Sequence, residues 1–355
     1  MKRLVLVGAG HGHLSVLRAL SETHFASDFE VILINPDRYQ TYSGMLPGWM
    51  MGYYRLEHCQ IRLEPWIKRA KLQFIQDQVI GLDANQQQLQ LKNNPPLNYD
   101  WLSINSGSET HLGAWANEAV IPIRPLNGFI HYWSKVVEQQ PKALTIIGGG
   151  AAGVELAFAA RERLPNTSIH LIASTLLSGH SPRVRANTQH LLTQRKIQIH
   201  DTKVEYLTGN TLYFTDHSRL DSSAIIAATG AKAPDWLKTA GLALDSEGFI
   251  HVNQYQQSIS HPTIFAIGDI SARADIQRSG VHAVKGGVVL AHNLMQLLTQ
   301  TSPSFQPYQP RKRSLYLLAC GQRQAIMSWG HFSMVGKWVW FWKNKIDTDF
   351  MQRWL

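Results

Sequence analysis

Short apolar runs alternate with helical stretches along this chain. Leu4–Val7 and Val31–Ile34 are continuous apolar runs, and His13–Leu20 between them is typical of a helix. Buried strands of a parallel sheet are apolar throughout, and helices connect them. The pattern therefore predicts a strand–helix–strand unit at the start of the chain.

The same order of elements returns about 140 residues later, which is an internal repeat. Leu144–Ile147 and Ile169–Ile172 are predicted strands, and Ala151–Leu164 between them is a predicted helix. Two copies of one nucleotide-binding unit explain the repetition. The expected fold class is α/β, with two Rossmann-like units, the second inserted into the first, and a small C-terminal cap.

The remaining predicted elements connect and follow these two cycles. They are a hairpin region over 83–98, strands at Trp101–Asn105, Ala224–Ala227, Ile264–Ile267 and Leu315–Leu318, and a long helix at Val281–Leu298.

Composition limits the class of protein. A length of 355 residues suggests two domains, or two and an appendage, and 44% hydrophobic with 17% charged residues excludes a disordered chain. Two cysteines exclude a disulfide framework and indicate a reducing, cytoplasmic environment. Leu4–Val7 is too short for a signal-peptide core, and no apolar run is long enough for a membrane helix. The formal net charge of +9 suits anionic ligands, a membrane surface or nucleic acid, without deciding among them.

A glycine-rich loop follows the first predicted strand. Gly8 and Gly10 allow the tight turn and the close backbone approach that a pyrophosphate needs, and the amides of the following helix N-terminus suit phosphates. His11, Gly12 and His13 complete the loop, with His13 where the fingerprint has its third glycine. A strand–helix turn without a ligand is the alternative.

Asn35 ends the second strand, where an acidic residue usually holds a ribose. An asparagine can still accept one hydrogen bond from a ribose hydroxyl.

The second unit has the complete fingerprint, with Gly148, Gly150 and Gly153 opening its helix. Two such loops at corresponding places are far more specific than one. Ala173 takes the acidic position here, so a 2′-phosphate is not excluded, and Arg183 or Arg185 could accept one. NADH and NADPH both stay open.

Two later segments complete the candidate site. Asp269 follows a predicted strand, where it could accept hydrogen bonds from a ribityl chain or cap the next helix. Gly280 and Val281 open the long helix, whose N-terminal dipole could stabilise a reduced flavin. Gly286 and Gly287 inside that helix imply a close packing partner, either a cofactor or a neighbouring strand.

These motifs resemble those of flavoproteins with two dinucleotide-binding domains. This is the pyridine nucleotide-disulfide oxidoreductase superfamily, which includes type II NADH dehydrogenases and sulfide:quinone oxidoreductases. A narrower resemblance is to the flavoprotein module fused ahead of selenophosphate synthetase in some proteins. It rests on Gly10–His13, Tyr42–Gly48, Glu57–Cys59 and Trp342–Asp347.

The resemblance implies a cofactor for each unit. FAD would be bound by residues 1–118 and 250–305, with Asp269 on the ribityl chain and Pro47 and Val281 near the flavin ring. NADH or NADPH would be bound by residues 119–249, leaving 306–355 as the cap.

The implied activity is that of an FAD-dependent NAD(P)H oxidoreductase. Hydride passes from the nicotinamide to flavin N5, and electrons continue to a small acceptor, for which a quinone is a candidate. By count, Val281 and Lys285 stand where type II NADH dehydrogenases have two glutamines. Lys285 could instead hold the flavin's pyrimidine oxygen or an anionic substrate, or be an ordinary solvated lysine.

Two other functions stay open. Disulfide reductases need two closely spaced cysteines, and only Cys59 is suitably placed, so that branch is excluded. A sulfur or selenium oxidoreductase using Cys59 or Cys320 is one alternative. A non-catalytic flavin-binding partner module is the other.

The C-terminal tail is rich in aromatic and basic residues. Such a segment suits peripheral docking at the inner face of a membrane. However, Trp338, Trp340 and Trp342 alternate with period two, so a strand packed on the flavin domain explains them equally well. The histidines lack metal-ligand spacing, and no nucleic-acid recognition motif occurs, so neither a metal nor nucleic acid is expected.

Overall fold

The computed structural model describes residues 1–23, 28–115, 117–276, 280–310 and 314–355. The strands, in chain order, are β1 (Lys2–Val7), β2 (Phe29–Ile34), β3 (Tyr39–Thr41), β4 (Gln60–Arg62), β5 (Gln73–Ile75), β6 (Val79–Asp83), β7 (Gln88–Leu91), β8 (Leu97–Asn98), β9 (Trp101–Ile104), β10 (Glu109–Thr110), β11 (Val120–Pro122), β12 (Ala143–Ile147), β13 (Ser168–Ile172), β14 (Ile197–His200), β15 (Val204–Thr208), β16 (Thr211–Phe214), β17 (Arg219–Asp221), β18 (Ala224–Ala227), β19 (Ala231–Lys232), β20 (Ile250–His251), β21 (Ile264–Ala266), β22 (Ser271–Ala272), β23 (Leu315–Ala319), β24 (Ala325–Trp329) and β25 (Phe332–Gly336).

The helices are α1 (His11–Glu22), α2 (Leu46–Met50), α3 (Glu64–Arg69), α4 (Leu126–Gln139), α5 (Ala151–Arg163), α6 (Pro182–Gln194), α7 (Gly280–Thr299) and α8 (Lys337–Gln352). Short 3₁₀ turns lie at Ser43–Met45, Leu56–Cys59, Gly113–Trp115, Asp235–Thr239 and Gly268–Ile270. No helix in the described part of the chain is both long and apolar enough to cross a bilayer.

The chain forms two compact units. Unit 1 comprises Met1–Gln40, Gln60–Ser108 and Lys232–Arg311, and unit 2 comprises Thr41–Cys59, Glu109–Ala231 and Lys312–Leu355. The bulk of unit 2 is inserted between segments of unit 1, as the sequence predicts. The grouping differs from the expected one, because 41–59 and the C-terminal tail both group with the inserted segment, which spans 109–231 rather than 119–249. The nucleotide that each unit binds stays a prediction at this point.

Unit 1 is built on a parallel sheet with the order β21-β9-β1-β2-β5 among the described residues. Leu4 pairs with Val31 on one side and with Trp101 on the other. Leu4 and Leu6 are fully buried, because helices cover both faces of such a sheet. The predicted hairpin region is the antiparallel sheet β6-β7-β8.

Unit 2 repeats this plan with the parallel order β11-β18-β12-β13-β14. β12 corresponds to β1, since each is the central strand and each runs into a glycine loop and a helix. The two predicted Rossmann-like sheets are therefore confirmed. Both helices that follow the loops are also confirmed, although α1 begins at His11 rather than at His13.

The C-terminal part of unit 2 consists of the antiparallel sheet β23-β24-β25 followed by α8. The predicted strand at Leu315–Leu318 forms as β23. The alternative that Trp338, Trp340 and Trp342 lie on a strand is wrong, because all three lie on α8. The period of two in the tryptophans is accidental, since Trp338 and Trp342 are one helical turn apart with Trp340 on the opposite side.

Candidate functional site

The first glycine loop is pressed against the end of β9. Gly8 has φ of +83°, and a Cβ added there would lie 2.6 Å from the carbonyl oxygen of Asn105. A Cβ on Gly10 would lie 2.5 Å from Asn105 Oδ1. The absence of side chains at both positions is therefore required by the fold.

Asn105 connects the surrounding elements of unit 1. Its Oδ1 accepts a hydrogen bond from the His13 amide at 3.0 Å, and its Nδ2 donates to the carbonyl of Ile267 at 2.7 Å. The side chain thus caps one of the N-terminal amides of α1 from a neighbouring strand. Sequence reasoning missed this residue. Its signal was a polar residue at the carboxyl end of an apolar strand, where ligand sites collect.

His13 fills the place of the third glycine with a buried imidazole. Its Nδ1 lies 2.5 Å from the Gly8 carbonyl oxygen and its Nε2 lies 2.8 Å from the Ser103 hydroxyl. Burial lowers the pKa of His13 to about 4, the hydrogen bond to Gly8 acting in the opposite direction. The ring is neutral at physiological pH and braces the loop.

Asn35 also supports the loop. Its Oδ1 accepts a hydrogen bond from the Ala9 amide at 2.9 Å, and its Nδ2 donates to the carbonyl of Asp37 at 2.6 Å. The predicted contact with a ribose hydroxyl would use the second lone pair of Oδ1. It stays a prediction.

Asp269 lies in the short turn at the carboxyl end of β21. The predicted alternative, that it caps the next helix, is wrong because Asp269 lies inside this 3₁₀ turn and the described part of α7 starts at Gly280. Burial lowers the pKa of His11 to about 4, and the nearby Asp269 carboxylate acts in the opposite direction. His11, the first residue of α1, and Asp269 therefore lie close enough for their charges to interact.

The glycines inside α7 pack against other parts of unit 1. A Cβ on Gly287 would lie 2.6 Å from the carbonyl oxygen of Gly12 on α1, and one on Gly286 would lie 2.6 Å from Gln256 Nε2. The prediction that the packing partner is a cofactor or a strand is therefore wrong for Gly287, which packs on helix α1. The exposed Val281 and Lys285 lie in the first two turns of α7.

In the second glycine loop, in unit 2, the fold requires Gly148 and Gly153, while a Cβ on Gly150 would meet no protein atom within 4 Å. Gly148 has φ of +131°, and a Cβ there would collide with the carbonyl oxygen of Ala228. A Cβ on Gly153 would collide with the carbonyl oxygen of Gly148. The third glycine thus allows α5 to approach the loop, which is its role in the fingerprint.

Pro47 and Cys59 belong to unit 2, where the segment 41–59 packs against α8. Lys343 Nζ donates a hydrogen bond to the carbonyl of Gly44 at 2.7 Å and forms an ion pair with Asp347 at 2.8 Å. The Tyr42 hydroxyl donates to the other oxygen of Asp347 at 3.0 Å. Both members of the ion pair are buried, so the segment that carries Pro47 is fixed by buried charges.

Glu155, on α5, interacts with the same ion pair electrostatically. Burial raises the pKa of its carboxyl to about 7, and the Lys343 ammonium acts in the opposite direction. One carboxyl oxygen accepts a hydrogen bond from the Ala319 amide at 2.7 Å. Sequence reasoning did not single out Glu155, Lys343 or Asp347 for chemistry, although the last two lie in a quoted motif.

The two cysteines are free, fully buried thiols. Burial raises the pKa of Cys59 and of Cys320 to about 12. The Cys59 thiol donates a weak hydrogen bond to the Arg55 carbonyl at 3.7 Å. Because the thiolate is the nucleophile, these surroundings disfavour the expected sulfur chemistry at either residue.

Both glycine loops fit the diphosphate of a dinucleotide. The residues that cap α1 and α5 are Gly10 and Gly150, which provide no side-chain cap, and the first turn of each helix has no acidic residue. Helix N-terminal amides without a competing carboxylate attract phosphate groups.

Comparison with known proteins agrees with this geometry. Residues 2–296 match the family described as pyridine nucleotide-disulphide oxidoreductase, and the chain belongs to that family. It is an FAD-dependent NAD(P)H oxidoreductase, so the expectation of a non-catalytic partner module is not supported.

Individual relatives are distant. Ferroptosis suppressor protein 1 of Xenopus tropicalis is 23% identical over 272 residues, covering 71% of this chain and 70% of the relative. The NADH dehydrogenase-like protein YutJ of Bacillus subtilis (strain 168) is 23% identical over 281 residues, covering 77% of each chain. The structure of the sulfide:quinone oxidoreductase from Aquifex aeolicus has a TM-score of 0.80 at 17% identity, covering 100% of this chain and 91% of that one. The structural likeness extends over the whole fold.

Proposed function

We propose that the chain passes electrons from NAD(P)H to a membrane quinone and meets that quinone by docking α8 on an anionic lipid surface. The observation that carries the proposal is the outward face of α8. Trp338, Phe341 and Trp342 are exposed by 47%, 61% and 41% of their surface. Water-facing aromatic rings on one helix face are costly unless another surface covers them.

The charges beside these rings favour a lipid surface as the partner. Lys337 and Lys345 are exposed on the same helix, and the exposed Arg353 directly follows it. The adjoining β24–β25 hairpin exposes Trp329 and Phe332 by 56% and 51%. Aromatic rings enter the headgroup region while lysine and arginine contact anionic lipids. Membrane quinones are lipophilic and dissolve among the adjoining acyl chains.

The cofactor sites follow from the two loops. FAD, when bound, supplies the atom N5 that accepts hydride. We assign its diphosphate to the α1 N-terminus beside Gly8 and Gly10, and its ribityl hydroxyls to the Asp269 carboxylate. In unit 2, the α5 N-terminus beside Gly148 and Gly150 holds the nicotinamide dinucleotide.

The remaining predicted residues concern the flavin ring. The N-terminus of α7 at Gly280 and Val281 directs the positive end of its dipole toward added negative charge. Pro47 beside the ring, and Lys285 on its pyrimidine oxygen, stay predictions. Cys59 has no proposed role in the reaction.

We also propose that the chain is equivalent to the flavoprotein module that is fused ahead of selenophosphate synthetase in some proteins. What supports this is that the residues of the quoted motifs contact one another. Lys343 Nζ donates to the Gly44 carbonyl, and the Tyr42 hydroxyl donates to Asp347 Oδ1 at 3.0 Å. If this is correct, the flavoprotein module cut out of such a fusion protein should use the same nucleotide and the same acceptor as this chain. Parallel kinetic assays of the two proteins check this.

The test of the main proposal is an anaerobic titration of the purified holoprotein. We expect NADH or NADPH to bleach the flavin absorbance, and we expect anionic vesicles loaded with a quinone to restore it. A flavin that neither nucleotide bleaches would contradict the oxidoreductase assignment. A flavin that is bleached but not reoxidised by the vesicle quinone would overturn the acceptor alone.

A further inference from the structure

The segment after β13 lies directly across the second glycine loop. The amide of Leu177 donates to the Gly149 carbonyl at 2.8 Å, and a Cβ on Gly149 would lie 2.7 Å from the Ala173 methyl carbon. In this fold, the residue at the end of the second strand of the nucleotide-binding unit faces the adenosine ribose. Residues 173–177 therefore border the ribose of the dinucleotide assigned to unit 2 under the proposed function.

This border has no negative charge. Ala173 is buried, with 6% of its surface exposed, and no Asp or Glu occurs from Ala173 to His200. A carboxylate here would accept a hydrogen bond from a ribose 2′-hydroxyl and repel a 2′-phosphate. Exposed Ser174 and Thr175 follow instead, and their hydroxyls can donate to phosphate oxygens.

Arg183 and Arg185 lie at the other end of the connection between β13 and α6. His180 N donates to the Leu177 carbonyl at 2.9 Å, which closes a turn, and α6 begins two residues later. Arg183 and Arg185 lie in the first turn of α6, and neither has an ion pair within the described ranges. Their charge is available to a phosphate, and the helix N-terminus adds to it.

We infer that NADPH is the preferred reductant, with its 2′-phosphate bound between the hydroxyls after β13 and the arginines at the start of α6. The inference rests on the proposed function, since it requires the nicotinamide dinucleotide to occupy unit 2. Arg183 and Arg185 determine specificity, and neither touches the reacting atoms.

The experiment compares kcat/KM for NADPH and NADH in the holoprotein with a fixed soluble acceptor. We expect NADPH to be favoured by about tenfold or more, the worth of one charge-assisted hydrogen bond. Arg183→Gln and Arg185→Gln should lower kcat/KM for NADPH and leave that for NADH unchanged. The control is Arg219→Gln, an exposed arginine on β17, which should change neither.

A second pair of variants reverses the charge. Ala173→Asp should shift the preference toward NADH, and Ser174→Asp makes the same change at an exposed position in case the buried substitution prevents folding. Equal use of the nucleotides, or a preference for NADH, would overturn the inference while flavin bleaching still upholds the oxidoreductase. A preference for NADPH that survives both arginine variants would overturn the assignment of those residues.

Discussion

At the scale of single residues, the two glycine loops differ in how the following helix contacts the first glycine of the loop. In unit 2, Gly153 lets α5 approach the Gly148 carbonyl. In unit 1, His13 stands at the corresponding position and bonds the Gly8 carbonyl through its ring. A carbonyl oxygen only accepts, so Nδ1 carries the proton and Nε2 accepts from the Ser103 hydroxyl. The histidine is thus a fixed neutral tautomer inside the fold.

Replacing His13 by glycine completes the fingerprint but should damage the protein. His13→Gly leaves a cavity and removes the partners of two buried polar groups, so we expect a loss of about 3 kcal/mol in the free energy of unfolding. We also expect faster release of FAD, because the loop loses its brace. Denaturant unfolding and flavin fluorescence measure the two effects.

The pH dependence separates this role from ordinary packing. Between its usual pKa of 6.5 and its lowered pKa of about 4, His13 is protonated in the unfolded chain and neutral in the folded chain. Wild-type stability therefore falls as the pH drops through that window. His13→Gly should lose less stability over the same window. An equal loss in both proteins would contradict the assigned protonation state.

The sequence predicted the glycines of both loops, because glycine positions follow from backbone geometry alone. It did not predict Asn105, whose two hydrogen bonds reach residues 92 and 162 positions away. Asn35 was predicted for a ligand, yet it bonds the Ala9 amide. Long-range partners decide what a polar side chain does, and a single sequence does not contain them.

At the scale of elements, α8 buries an ion pair among apolar side chains and exposes aromatic rings. Its inward face carries the Lys343–Asp347 ion pair, with side-chain exposures of 10% and 7%, while its outward face carries tryptophans. The pair costs desolvation, which its hydrogen bonds to Gly44 and Tyr42 offset. Such an arrangement fixes the register of α8 against the segment 41–59.

Replacing one member of the Lys343–Asp347 pair should destabilise the fold more than replacing both. Lys343→Met leaves the Asp347 carboxylate buried without its cation, and we expect a loss of about 3–5 kcal/mol in the free energy of unfolding. The double variant Lys343→Met/Asp347→Leu should recover most of that loss. Thermal and denaturant unfolding of the three proteins measure the coupling.

A matched control tests the hydrogen bond separately. Tyr42→Phe removes one donor to Asp347 and should cost only about 1–2 kcal/mol. If the double variant were as unstable as Lys343→Met, then packing rather than unpaired charge would explain the loss.

The nature of α8 could not be settled from its own sequence. Alternating tryptophans favour a strand, and an aromatic-basic composition favours an interfacial helix. Contacts with β24 and with the segment 41–59 decide in favour of the helix, and the hydrogen bonds to that segment join residues 299 and 305 positions apart. By contrast, the two βαβ cycles were predicted correctly, because their apolar runs and glycine loops are local signals.

At the scale of the whole molecule, the internal repeat made the fold predictable. Two parallel sheets of corresponding order follow from two apolar–glycine–helix cycles. The grouping of 41–59 and 312–355 with unit 2 was not predictable, since it depends on side-chain contacts such as Lys343 with Gly44.

The surface chemistry of the molecule makes the membrane proposal testable without any change to the cofactor loops. Substituting Trp338, Phe341 and Trp342 by serine removes exposed apolar surface, so the fold should be retained. Each aromatic ring buried in a lipid interface is worth about 1 kcal/mol or more, so the triple variant should bind anionic vesicles about 100-fold more weakly. Vesicle co-sedimentation measures this, with Tyr206→Ser and Ile259→Ser as controls, since both are exposed apolar side chains that do not belong to α8. Reduction of a vesicle-borne quinone should fall in parallel, while reduction of a water-soluble acceptor should not change.

Unchanged vesicle binding would show that these rings serve another partner, and a parallel fall with the soluble acceptor would point to damage inside unit 2 instead.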